Sequence, residues 1–180
     1  GQIKEVGINL YQQLLNEAVS DIKGEAYIAN DFVPQINLQA PALIPEDYIL
    51  DLSLRLQLYR RLGNINDDNE FESFTIELID RFGLIPKELN YLIRVMKIKR
   101  NCIKTGIQRI DSGINGATLE FVNEGHINPE KFITWIHSNK RDIKVRSDKK
   151  VVLLYKWSSI DERLDIIEAL TSEIVMLVIT

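Results

Sequence analysis

Hydrophobic and polar positions keep two rhythms along this chain: mostly helical spacing through roughly its first hundred residues, then short strand-like stretches interleaved with two further helical ones. In "NLYQQLLNEAVSDIKGE", Leu10, Leu14, Leu15, Ala18 and Ile22 recur at helical spacing, with Asn9 as cap and Gly24 as stop. The polar, irregular "GEAYIANDFVP" reads as a linker, and "QINLQA" as a short strand closed off by Pro41 and Pro45. The stretch "LDLSLRLQLYRRL" is ambiguous. Leucine at 50, 52, 54, 56 and 58 alternates as in a strand, yet the stretch lacks valine, isoleucine and threonine, and its Leu, Arg and Gln favour helix. Composition decides for a helix, with Asp51 as N-cap and Gly63 as the C′ residue. Leu52, Leu54, Leu56, Leu58, Tyr59 and Leu62 then cover a wide arc, with Ser53, Gln57, Arg60 and Arg61 opposite. Arg55 falls inside the arc and has to snorkel, and an arc this wide predicts cover on more than one side.

Two more helices are predicted before the rhythm changes. "NDDNEFESFTIELIDRFG" opens on capping residues and early acids and ends at Gly83, with Phe71, Phe74, Leu78 and Phe82 as its buried stripe and Ile79 at the edge. "IPKELNYLIRVMKIKRNCIKTG" has Pro86 near its first turn and Gly106 after its last, and gathers Leu92, Val95, Met96, Ile98, Cys102 and Ile103 on one face. Short strands come next in "GIQRI", "GATLEFV", "IKVR" and "VVLLYKW", the last two joined by the hairpin signal "SDKK". The helix "NPEKFITWIHS", capped by Asn128, lies between the two strand pairs, and "SIDERLDIIEALTSEIV" forms the last helix. The class is therefore α+β: an N-terminal helical part, then a small, mostly antiparallel sheet packed with helices.

Composition adds bounds to this picture. At 180 residues, 45% hydrophobic and 27% charged, the chain buries a sizeable core and is neither disordered nor fibrous. Its net charge of −4 gives no global reason to bind nucleic acid, although a local basic patch is compatible with it. The single cysteine, Cys102, cannot form an intrachain disulfide, which points to a reducing, cytoplasmic setting. The longest apolar run, "IVMLVI", falls far short of the ~18 residues of a membrane helix. The opening "GQIKEVG" has no initiator methionine and no signal-peptide character, and reads as interior to a longer protein.

Candidate chemistry is sparse. His126, His137 and Cys102 lie on different elements without ligand spacing, so no metal site is predicted. Cys102 on an apolar helix face reads as an inert buried thiol. "DSGINGAT" carries two glycines but leads into a strand, which makes it a turn and not a phosphate loop. Arg94, Lys97, Arg100 and Lys104 recur at helical spacing, either as a solvated face or as a contact for phosphates. Glu70, Ser73, Glu77 and Asp80 form a stripe opposite the phenylalanines, with Glu77 and Asp80 side by side. Three readings of that stripe stand: a general acid–base pair, a plain solvated face, or a docking surface for arginines.

The stretches "VGINLYQQLLNEAV", "APALIPEDYILDLSLRLQLYRRL", "ELIDRFGLIPKELNYLI" and "EGHINP" resemble the C-terminal domain of bacterial transcription-repair coupling factors. The likeness covers nearly the whole chain and is loosest after about Lys140. It implies a parent ATP-driven translocase on double-stranded DNA that acts on stalled RNA polymerase and recruits excision repair. Its ATP- and Mg-dependent motor lies upstream, and no catalytic residue or cofactor falls in this chain. Residues 1–25 would then be a helix leaving the motor, and 26–180 a regulatory docking domain without membrane contact. That domain would pack on the N-terminal repair-recruiting module, mask the site for the damage-recognition subunit, and restrain the motor. Carried over by the resemblance, Glu77 and Asp80 would face arginines of that module.

Overall fold

A computed structural model describes residues 32–122 and 126–179; the predicted helix over 9–25 and the head of the linker lie outside them. Contacts divide the described chain into a helical unit, Pro41–Met96, and a sheet unit made of 32–40 and 97–179. Among the described residues there are five helices and a five-stranded mixed sheet, an α+β fold whose sheet is mostly antiparallel.

The helical unit holds α1 (Leu52–Gly63), α2 (Asp68–Phe82) and the first half of α3 (Lys87–Thr105). The alternating leucines are thus helical. Asp51 caps α1 by accepting from the Ser53 backbone N–H at 2.9 Å, and Asp67 caps α2 by accepting from that of Glu70 at 2.8 Å. Gly63, however, is the last helical residue, and Asn64 forms the C-cap. The buried set of α1 is Arg55, Leu58, Tyr59 and Leu62, an ordinary i, i+3, i+4, i+7 stripe. Leu52 is exposed and Leu54 and Leu56 only half-buried, so the expected wide arc narrows to one face. Arg55 does not snorkel. It is buried, and its guanidinium donates to the carbonyls of Ile49 (2.7 Å) and Leu50 (3.1 Å), with Glu46 at 3.6 Å.

The segment before α1 ties the three helices together. Leu43 N–H donates to Glu88 O of α3 at 3.2 Å. Ile44 N–H donates to the Tyr59 hydroxyl of α1 at 2.8 Å. The Tyr48 hydroxyl donates toward Leu78 O of α2 (3.1 Å) and Gly83 O (2.8 Å), and its ring meets Phe82 edge-on. Gly83 ends α2 at φ +95°, a conformation that side chains with a Cβ rarely adopt. Phe71, Phe74 and Leu78 are buried as expected; Phe82 is half-buried.

In the sheet unit the strands run in the order β1-β2-β3-β5-β4: β1 is Gln35–Asn37, β2 Ile107–Gly113, β3 Gly116–Phe121, β4 Asp142–Val145 and β5 Val151–Leu154. Only the β1–β2 pair is parallel. Ile110 and Ser112 alternate inward on β2, and a register shift between Ile107 and Arg109 lets Ile107 face inward as well. Leu119, Ile143, Val151 and Leu153 continue the buried face, and α5 (Ile160–Val175) buries Leu164, Ile167, Leu170 and Ile174. Gly116 stands where a Cβ would lie 1.9 Å from the Leu153 carbonyl oxygen, so no other residue fits there. α4 (Pro129–Ser138) is capped by Asn128 as expected and joins α5 through the Trp135 indole N–H, which donates to Glu173 at 3.1 Å.

Candidate docking surface

The predicted acidic stripe lies along α2, and the fold gives its members different tasks. Glu77 is held from α1: Arg61 engages both of its carboxylate oxygens, one through Nη1 to Oε2 and the other through Nη2 to Oε1 at 3.1 Å. Arg81, one turn on, adds a contact at 3.5 Å. The same two guanidinium groups lie over aromatic rings, Arg61 over Phe74 at 5.3 Å and Arg81 over Phe82 at 4.9 Å. The hydrogen bond from Arg61 holds the Glu77 carboxyl below its ordinary range. A general acid at neutral pH needs the opposite shift, so the general-acid reading of Glu77 loses its support.

Glu70 serves the start of α2, its carboxylate 3.4 Å from the Asn66 N–H. Ser73 and Asp80 are exposed. Between these polar positions the helix shows apolar side chains to solvent: Ile76 is 52% exposed and Ile79 39%, followed by Leu84 at 86% just beyond Gly83. The stripe is therefore a mixed surface of acids, one compensated carboxylate and isolated aliphatic residues. It presents contact area and fixed charge, the ingredients of a protein interface.

The basic set of α3 is less open than its spacing suggests. Arg94, Lys97 and Arg100 are half-buried and each is already engaged, which leaves Lys104 as the exposed member. Lys99, absent from that set, falls at helical spacing with Met96 and Cys102 and is 3% exposed. Its amine has no hydrogen-bond partner among the described residues, and burial pushes its pKa down to about 8. A lysine at the i+3 position of an apolar stripe was the available signal. Cys102 is fully buried and its thiol is pushed up by desolvation, as expected of an inert side chain. Among the described residues no three His, Cys, Asp or Glu side chains gather as metal ligands, and no helix is long and apolar enough to cross a membrane.

The TRCF domain family model matches residues 38–132, more than half of the chain. The chain belongs to the TRCF domain family. Among curated relatives, the transcription-repair-coupling factor of Rickettsia conorii is 40% identical over 157 residues, covering 87% of this chain and 14% of that protein. The Haemophilus influenzae factor of the same name is 36% identical over 152 residues, covering 82% of this chain and 13% of that protein. This TRCF chain thus spans about one seventh of the length of the relatives it matches. A crystal structure of the C-terminal domain of a transcription-repair coupling factor shares the fold, with a TM-score of 0.65 at 23% identity, covering 81% of this chain and 95% of that one. The resemblance read from the helical segments is borne out. The matched span includes α2 and its mixed surface and stops inside α4.

Proposed function

We propose that this TRCF domain is a non-catalytic regulatory module of a larger transcription-repair coupling translocase. It docks on the N-terminal repair-recruiting module of the same protein, masks the binding site of the excision-repair damage-recognition subunit, and restrains the motor until stalled RNA polymerase is engaged. The observation that carries this reading is the outer face of α2, where Ser73, Asp80, Ile76 and Ile79 are exposed beside the Arg61–Glu77 pair. Glu77 adds a constraint. Its carboxylate already has two arginine partners, so an arginine of the docking module shares it or displaces Arg61, while Asp80 is exposed and accepts directly.

A rim contact of this kind suits a latch. Individual exposed ion pairs contribute only about 0.2–1 kcal/mol, and a few together hold a closed state that a stronger partner displaces. The test is calorimetric titration of this chain against the N-terminal module, with and without Glu77→Arg/Asp80→Arg. Covalent linkage supplies roughly millimolar effective concentration, so even weak association counts. Loss of at least about tenfold in affinity, equivalent to about 1.4 kcal/mol, is the expected result. Unchanged affinity of the double variant would place the contact elsewhere, and no association at all would remove the latch.

A further inference from the structure

Charge is distributed unevenly over the sheet unit. Residues 139–156, "NKRDIKVRSDKKVVLLYK", hold seven of the chain's 22 lysines and arginines but only two of its 26 acids. The stretch comprises the β4–β5 hairpin and its flanks. β4 is an edge strand, paired to β5 alone, so the basic residues sit at the rim of the sheet. Lys140, Lys144, Arg146, Lys149 and Lys156 are all exposed. Lys144 lies on β4, Arg146 follows directly after its end, and Lys149 lies in the turn, where its φ is +66°.

Acids do not cancel this surface. Arg141 is paired with Glu173 at 2.8 Å, Arg146 with Asp148 within the turn at 2.7 Å, and Lys150 stands 3.9 Å from Glu120. Lys140, Lys144, Lys149 and Lys156 have no ion-pair partner among the described residues. The overall charge of −4 does not prevent an anion from approaching. At about 0.1 M salt the screening length is ~10 Å, so a ligand at the rim responds to the local excess of cations and little to distant acids.

We propose that the β4–β5 hairpin is a contact surface for the phosphate backbone of duplex DNA. Two features select a duplex over a single strand. Single strands are held by aromatic platforms as well as cations, whereas both aromatic residues beside the hairpin are occupied. The Trp157 indole N–H donates to Gly113 O at 2.6 Å and its ring carries the Arg163 guanidinium at 5.9 Å, while the Tyr155 ring packs against that of Trp157 at 5.4 Å. What remains is a row of flexible ammonium and guanidinium groups that contact phosphates without reading sequence. This proposal uses none of the α2 residues and does not depend on the docking reading.

The experiment is fluorescence anisotropy of a labelled random-sequence duplex with the whole 180-residue chain, starting near 50 mM salt and titrating upward. Binding with a log–log salt slope of about −3 to −4, reflecting some four phosphates at ~0.9 each, is expected. The variant Lys144→Glu/Arg146→Glu/Lys149→Glu should lose at least about tenfold in affinity while keeping the wild-type circular dichroism. If that variant fails to fold, the corresponding triple change to Gln replaces it, with the same direction expected. No binding at low salt, or binding that survives the triple change, overturns the proposal. Loss on Lys104→Glu in place of the triple change moves the contact to α3 and also overturns it. Tighter binding of a single strand excludes the duplex, and equal binding of a poly-glutamate peptide assigns the hairpin to an acidic protein.

Discussion

Among the described residues, the helical and sheet units each bury one cation, and they treat it in opposite ways. Arg55 of the helical unit is 8% exposed, and Lys99 of the sheet unit 3%. Arg55 Nη1 donates to the carbonyls of both Ile49 and Leu50, two backbone acceptors at the entry to α1, and so holds the chain that enters the helix. The Lys99 amine has no such acceptor among the described residues. Equal burial therefore carries opposite free energies: a satisfied buried charge organises a loop, and an unsatisfied one costs its desolvation.

The comparison predicts opposite signs for the same substitution. Arg55→Met should destabilise the chain by about 3 kcal/mol, because two charge-assisted hydrogen bonds disappear and two carbonyls lose their donor; urea unfolding at pH 7 reads this directly. Lys99→Met should stabilise it by up to about 3 kcal/mol at pH 7, the cost of lowering the amine from 10.5 to about 8 at 1.36 kcal/mol per unit. Loss of stability on Lys99→Met would show that the amine has an acceptor in solution.

The pH dependence sharpens the second sign. The folded pKa of Lys99 lies below the unfolded one, so the unfolded chain keeps the proton longer and the cost is full below about 8. It fades as pH rises, and the gap between Lys99→Met and wild type should close by about 10.5. Cys102 acts in the other direction, since burial keeps its thiol protonated in the fold while an unfolded thiol ionises near 8.5. Comparing the two chains at each pH removes that contribution, because both contain Cys102.

The smallest effect belongs to the surface pair. Arg61→Ala should change stability by no more than about 1 kcal/mol, since Arg61 and Glu77 are both substantially exposed. Its effect on docking is the more useful readout. If Arg61 competes for Glu77, its removal tightens association with the N-terminal module; if Arg61 fixes the carboxylate in position, association weakens.

Much of the helical unit was legible in the residues. The absence of β-branched side chains in Leu50–Leu62 outweighed its strand-like alternation, the Asp51 cap stands where the pattern put it, and the cap of α2, Asp67, is among the capping residues that open that stretch. The acidic stripe was legible as a stripe and not as a site. Spacing on one helix shows Glu77 beside Asp80, but the arginine that takes Glu77 comes from a different helix, sixteen residues earlier. Lys99 is not legible as buried because a lysine's ordinary place is the solvent face, and only the packing of the fold encloses it. The hairpin cations escaped because they keep no helical period: they collect where an edge strand, a turn and two flanks converge.

The sequence by itself determined the five described helices, the N-caps of α1 and α4, the α+β class and membership of the TRCF family, because these rest on local propensity, short-range periodicity and ordered similarity. Tertiary structure decided which charges are spent within the molecule and which remain for a partner. A side chain's electrostatic partners are set by residues distant in the chain, and burial of a lysine or an arginine depends on which carbonyls the fold brings within reach.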